Sequence, residues 1–502
     1  MMLLMRTLYT AALATAFAVA ASAQFGRPAM TPAQERYLHA MEKADLAIQA
    51  ENHTHSQLMQ NEEYLTTEIG PRLTGGANMQ HASQWTLEMF RKYGLKAHLE
   101  TTHVAHSWTP GVATAVLLSP WHKVIPIAAE GWSKSTDGPV TGPVVIYNPG
   151  DPVDPAAIKG AIVLEGPPNS RNVAPDAQFP NSYDSVIMPP TGVPDYAAMQ
   201  RRMAEFRAMM SGGPNPLAGA AVVIRDSGKP WGLFSIGGAG RYAPSQVPTA
   251  TLGHADYSLL YRMIHNYHNH PRMTVNLGGT FSAGPEPASI TVAQIPGTEW
   301  PDQQVIVGGH LDSWYLGQGA VDNGTGAMAT LEAARILSAL GWKPKRTLTF
   351  ILFTGEEEGG VGVDTFVKNH LAEMPKTDAV LIDDVGTGCI ESIPIEGFYN
   401  AMPELSQVYQ PLKEVFALQP ISTEYFGASD HVAFQRQGIP AFLAVQAEAH
   451  YREEHHSQID TFEMVDAKQA NQGAAVLAAF LWNVSQLDTP FPHHKPSPGR
   501  GF

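Results

Sequence analysis

Apolar and polar positions fall into two regimes along the chain. From about residue 288 onward, compact apolar runs alternate with amphipathic stretches. QQVIVGG, TLTFILF, AVLID and AFLAV read as strands covered on both faces, and TGAMATLEAARILSALG and VDTFVKNHLAEM read as helices between them. VDAKQANQGAAVLAAFLWNVSQL adds a long amphipathic helix that closes the run. Such alternation predicts an α/β fold, a three-layer sandwich around a mostly parallel mixed sheet. Nearer the N-terminus, residues 31–70 are polar and helix-prone up to the breaker cluster GPRLTGG. ANMQHASQWTLEMFRKYGL then has helical spacing with a glycine stop, and LKAHLETT reads as a strand. Between about 120 and 285 the pattern changes to short β-type runs, VVIY, AIVLEG and AAVVIR, separated by loops such as NPGDPVDP. This stretch is expected to be an inserted, strand-rich domain.

The 502 residues leave room for two or three domains, or for one large domain with an insertion. The first residues change the picture more. MMLLMR, the apolar LYTAALATAFAVA and the small triplet Ala21-Ser22-Ala23 read as a secretory signal over 1–23. The mature chain is therefore expected to be secreted or periplasmic, with no membrane contact after cleavage. Cys389 is the single cysteine, so no intrachain disulfide can form and thiolate metal sites are excluded. A formal net charge of −15 argues against nucleic acid or an anionic membrane as a partner. The proline-rich end HHKPSPGRGF reads as a disordered tail.

Candidate chemistry gathers where the later strands end. VIVGG runs into His310 and Asp312, TLTFILFTG into Glu356, Glu357 and Glu358, and AVLI into Asp383 and Asp384. In open α/β sheets the functional crevice lies outside the carboxyl ends of the strands, so these endings point to one place. Asp322, in the glycine-rich GQGAVDNGTGA, and His456, in HHSQIDT, are expected to join them. Several carboxylates in one crevice repel one another, and no lysine or arginine lies in these loop segments. A divalent metal, or a pair of them, answers that repulsion. Histidine and carboxylate without thiolate suit zinc, with cobalt or manganese as further candidates. Asp430 and His431 in GASDHVAF read equally as pocket residues or as a structural aspartate–histidine pair. GGVGVD and GTGAMA have glycine spacings seen in phosphate loops but lack the lysine such loops need.

Four motifs carry a family resemblance: HLDSWYLGQGAVDNGTGA (310–327), TGEEEGGVG (354–362), DDVGT (383–387) and HHSQIDT (455–461). Through them the chain resembles the exported zinc exopeptidases that include bacterial leucyl aminopeptidases, glutamate carboxypeptidase and carboxypeptidase Q, the last most of all. The resemblance implies two zinc ions per chain. Asp322 would bridge them, His310 and Asp384 would complete one site, and Glu357 and His456 the other. Glu356 would be the general base, Asp312 would orient the His310 ring, and His455 would stabilise the tetrahedral intermediate. The Glu356/Glu357 register rests on the glycines that follow the triple glutamate, and the choice of Asp384 over Asp383 on the VGT that follows. The implied layout is a signal peptide (1–23), the first part of a peptidase domain (24–125), an inserted protease-associated-type domain (126–285), the catalytic part (286–487) and a tail (488–502). The implied function is hydrolysis of short peptides, carboxypeptidase- or dipeptidase-like. An aminopeptidase on the same fold, a one-zinc glutaminyl cyclase and a non-catalytic binding homologue are the alternatives. Arg72, Arg241 and Arg452 are candidates for holding a substrate carboxylate, and a homodimer is left open.

Overall fold

Helix α1 (Pro32–His55) begins at a capping box, in which Thr31 and Gln34 each accept from the other's backbone N–H and Pro32 fills the first turn. The computed structural model describes residues 30–168 and 215–495, so the expected signal segment lies outside the described residues. Helix α2 (Ala77–Lys92) buries Met79, Ala82, Leu87 and Phe90 and gives way to strand β1 (Lys96–Val104). The next strands are β2 (Trp108–Ser119), β3 (Lys123–Ile125), β4 (Ile127–Ala129), β5 (Val140–Tyr147), β6 (Ile162–Glu165), β7 (Val222–Asp226) and β8 (Thr249–Leu252). Helix α3 (His254–His265) and strands β9 (Arg272–Phe281), β10 (Glu286–Ile295) and β11 (Trp300–His310) follow. Then come α4 (Thr325–Leu340), β12 (Arg346–Phe353), α5 (Val361–Asn369), β13 (Thr377–Ile382) and β14 (Ile390–Ser392). The chain ends with α6 (Met402–Phe416), α7 (His431–Gln435), β15 (Ala441–Leu443), β16 (Val445–Gln446) and α8 (Ala467–Ser485).

Six strands form the central sheet in the order β1-β10-β12-β11-β13-β15. β12, β11, β13 and β15 run parallel, and β1 and β10 form an antiparallel edge. Every residue of β12 is buried, and its side chains alternate between two cores. Leu348, Phe350 and Leu352 join the core under α1, α2, α4, α6 and α8, whereas Ile351 and Phe353 join the one under α5 and α7. Helices therefore cover both faces, as continuous apolar strands require. The alanine-rich α8 starts at Asp466, whose carboxylate accepts from the N–H groups of Lys468 and Gln469, and packs on α4.

The other large sheet has eight strands in the order β3-β2-β9-β5-β6-β7-β8-β4. The two sheets are joined by a continued ladder. β1 and β10 pair down to Val104↔Glu286, and β2 and β9 resume at Trp108↔Phe281. In sheet membership the strand-rich unit thus runs from Trp108 to Phe281, taking in two strands ahead of the expected boundary at 126. β2 alternates only in its second half, after a register shift between Pro110 and Ala113, and nothing in its pattern tells which sheet it joins.

The tail also departs from expectation as far as it is described. Phe491 is buried and its N–H donates to Asp378 Oδ1 at 2.6 Å, and His494 N–H donates to Gly438 O at 2.8 Å. Residues 488–495 are thus docked on the central sheet's domain rather than free. Among the described residues no helix is long and apolar enough to cross a membrane.

Candidate metal centre

Register brings the candidate residues together. His310 pairs with Phe353 at the ends of β11 and β12, and Gly308 pairs with Ile382 at the end of β13. The residues that follow these strands are therefore neighbours, with Asp384 level with His310. His310 Nε2 lies 2.9 Å from Asp384 Oδ1 and 3.4 Å from Asp322 Oδ1. The second group lies across Asp322. His456 Nε2 is 2.9 Å from Glu357 Oε2 and 3.4 Å from Asp322 Oδ2, and His455 Nε2 is 3.8 Å from the same oxygen. The rings of His455 and His456 stack with centroids 3.7 Å apart.

Asp322 reaches this position through close backbone packing. A Cβ on Gly326, at the start of α4, would come within 2.2 Å of Asp383 O, so only glycine lets α4 approach the end of β13. Asp460 Oδ1 accepts from Val321 N–H at 2.6 Å and from Asp322 N–H at 3.5 Å, which pins the same loop from the other side. The glutamate turn is held likewise. The Asp312 carboxylate accepts from the N–H groups of Glu356 and Glu357 at 3.4 and 3.3 Å.

Burial raises the carboxyls of Glu356 and Glu357, and neighbouring charge, Asp384 for the first and Asp322 for the second, adds to it; Glu356 is pushed up to about 8. Burial would also raise Asp322, but the hydrogen bond from His310 and the nearby His455 and His456 hold it well below the usual range. His310 is the converse: burial would lower it, yet Asp384 and Asp322 outweigh burial and raise it. The protein's own groups thus leave the carboxylates short of positive charge at neutral pH. The donor set fits a metal pair on two observations. Asp322 turns one oxygen to each histidine group, and Asp322 Oδ2 and Glu357 Oε1 are buried without a hydrogen-bond partner among the described residues. Asp322, His455 and His456 on one side, and His310, Asp322 and Asp384 on the other, each offer ligand atoms close enough to share one ion.

The model of Peptidase family M28 matches residues 291–481, which hold every one of these groups. Human carboxypeptidase Q is 30% identical over 437 residues, 85% of each chain, and the bovine protein is 29% identical over 440 residues. The chain belongs to peptidase family M28. It is accordingly a zinc metallopeptidase of the exopeptidase kind. The fold is shared with solved structures too. A peptidase M28 precursor from Shewanella amazonensis superposes with a TM-score of 0.75 at 21% identity, covering 92% of this chain and 100% of that one. A zinc aminopeptidase from Bacillus subtilis superposes at 0.58 and 18% identity, covering 85% and 94%.

Within the M28 site, several placements refine the sequence reading. Asp312 reaches the His310 ring through its backbone carbonyl, 3.0 Å from Nδ1, more closely than through its carboxylate at 3.7 Å. Glu358 turns away from the histidines and accepts from Thr74 Oγ1 at 2.9 Å and Tyr242 OH at 3.5 Å. Asp383 is buried behind Asp384, beside Gly473. His431 lies 3.1 Å from Glu396 Oε2 and 2.9 Å from Phe426 O rather than pairing with Asp430, and both Asp430 oxygens lack a hydrogen-bond partner among the described residues.

Arg72 is fully buried and donates to the carbonyls of Leu311, Gly70, Gln318 and Gly319, so it braces the metal loops and is not available to substrate. Arg452 lies beside Glu448 at 3.4 Å. Of the three arginine candidates, Arg241 stays at the glutamate turn, donating to Gly359 O at 2.8 Å. Sequence reasoning passed over Arg72 as a brace, Lys229 and Asp460. The two cations come from loops distant in sequence, so no motif signals them, whereas Asp460 stood in view inside HHSQIDT.

Proposed function

We propose that this chain is an exported M28 exopeptidase that hydrolyses short peptides with two zinc ions, in the manner of a carboxypeptidase or dipeptidase. The observation that carries the reading is Asp322, whose two oxygens face the His310–Asp384 pair and the His456–Glu357 pair. Zinc bound there supplies a Lewis acid, which makes water a nucleophile near neutral pH and offsets charge developing on the carbonyl oxygen. Glu356 lies in the strand-end turn, its N–H held by the Asp312 carboxylate, and a base there takes the attacking water's proton and passes it to the leaving amine. His455, on the open side of the stacked pair, donates a hydrogen bond to the carbonyl oxygen as it becomes an oxyanion. Arg241 is the candidate for the substrate's terminal carboxylate. The strand-rich unit corresponds to the protease-associated-type insertion.

A second reading has its own observation. His455 Nε2 also lies within reach of Asp322 Oδ2, so His455 could share the second ion with His456 and leave Glu357 outside it. Zinc content of His455→Phe separates the two: it is unchanged in the first reading and reduced in the second. Elemental analysis of the purified chain should give about two zinc ions, with activity abolished by chelators. A panel of dipeptides and tripeptides, blocked at each end in turn and read by mass spectrometry, tests the direction of cutting. Loss of cleavage only on amidating the C-terminus supports a carboxypeptidase and loss on either block a dipeptidase; loss only on acetylating the amine overturns both in favour of an aminopeptidase.

A further inference from the structure

One half of the metal centre takes its residues from strand ends and a helix start of the central sheet's domain. His310 ends β11, Asp384 follows β13, and Asp322 precedes α4. The other half differs. His456 lies in the connection leading to α8 with a φ of +60°, a conformation that a side-chain-bearing residue keeps only when its surroundings hold it. Those surroundings come from the strand-rich sheet. Lys229, three residues after β7, is 1% exposed, and its Nζ donates to Glu453 O at 3.2 Å and to His455 O. Ile236 N–H donates to His456 O at 3.2 Å. Phe234 N–H donates to Gln458 Oε1 at 2.8 Å, and Gln458 Nε2 returns a bond to Gly232 O at 3.3 Å. The ring is held through Trp314, on the loop after β11, which that unit buttresses in turn. Trp314 meets the His456 ring edge-on at 5.9 Å and packs against Trp132 and Gly131, where a Cβ would come within 2.2 Å of the indole.

We propose that Lys229 and the 229–236 segment, together with the Gly131–Trp314 contact, are positioning elements of the second metal site. The strand-rich sheet then fixes the backbone and ring of His456, and affinity on the His456–Glu357 side depends on that sheet while affinity on the His310–Asp384 side does not. The inference rests on the two-zinc reading above. A bland alternative makes Lys229 a counter-charge for Asp322, Glu453, Glu454 and Asp460, which surround it. The two roles differ in sign. Removing a mere counter-charge tightens binding of a cation, whereas removing a positioning group weakens it.

The test is calorimetric zinc titration of the metal-stripped full chain, with cobalt absorption as a second readout of geometry. Lys229→Met should weaken one of two sites by about 10- to 100-fold and leave the other unchanged, as expected when a group behind a ligand is lost. Excess zinc should restore its turnover. Gln458→Leu, at a more open position, should weaken the same site to a lesser degree and guards against a Lys229 variant that does not fold. Tighter or unchanged zinc binding in Lys229→Met, or equal weakening of both sites, overturns the positioning role while leaving two zincs in place. A wild-type chain that takes up a single ion overturns the two-zinc reading and this inference with it.

Discussion

Glu356, Glu357 and Glu358 are adjacent in sequence and go to three different places. Glu357 Oε2 faces His456, Glu358 is held by Thr74 and Tyr242, and Glu356 feels the charges of Asp384 and His310. Their glutamine variants should therefore fail in three ways. Glu356→Gln keeps volume and metal but cannot take a proton, and loss of a positioned base costs about 10²- to 10⁴-fold in rate, roughly 3–5 kcal/mol. Glu357→Gln should lose one ion and recover partly with added zinc. Glu358→Gln should keep both ions. Zinc content beside single-turnover rate decides this; a Glu356→Gln protein that has lost zinc contradicts the assignment. Asp322→Asn should disturb both sites. Asp312→Asn should be milder, within about 10- to 100-fold, because the carbonyl that orients His310 survives and the bonds to the glutamate turn weaken.

At the scale of elements, α4 shows how much of the site was legible and why the rest was not. The run TGAMATLEAARILSALG announced a helix, and the strand endings announced a crevice, because periodicity and the α/β switch-point rule are local readings. The tightness of the approach is not local. Gly326 is required by Asp383 O, a group nearly sixty residues away in sequence, and the partners of Arg72 and Lys229 are more remote still. The sheet that β2 joins is hidden for the same reason: strand pairing across the gap from 119 to 272 leaves no mark on either strand. A prediction follows at this scale. Gly326→Ala forces α4 off the end of β13 and should destabilise the chain by about 1–3 kcal/mol, the range of an overpacked core. Because Asp322 moves with α4, zinc uptake should fall too, whereas Gly341→Ala, at the far end of α4 and with open space around it, should leave zinc uptake intact. Equal zinc content in both variants would show that the helix start does not set the site.

Across the whole molecule, buried acids and the two sheets each impose a dependence. Burial lifts Glu62 to about 8, with Arg72 partly opposing, and lifts Asp383 and Asp45 to about 7. Each is raised above its unfolded value, so the folded chain holds protons that the unfolded chain releases. The stability they contribute is fully present below about pH 4 and is lost as pH rises through about 7–8. Metal-free protein should therefore melt at progressively lower temperature from about pH 5 to pH 8, while the protection given by zinc grows over the same range, since binding releases protons. Scanning calorimetry with chelator and with zinc measures both; a metal-free melting point that rises with pH contradicts the buried-acid account. The sheets make the larger test. Val104 and Glu286 are direct partners at the end of β1 and β10, so a short Asn-Gly link between them closes a hairpin and removes the strand-rich unit whole. A cut at 126 instead strands β2, whose partner β9 is gone. The clean deletion retains all six strands of the central sheet, His310, Asp322 and Asp384, and loses every bond from 229–236 to the His455–His456 loop. It should fold, bind one zinc tightly and the other weakly, and lose most turnover. Two equally tight zincs in that deletion would mean that the central sheet builds the whole centre without help, and the division of the site between two sheets would fall.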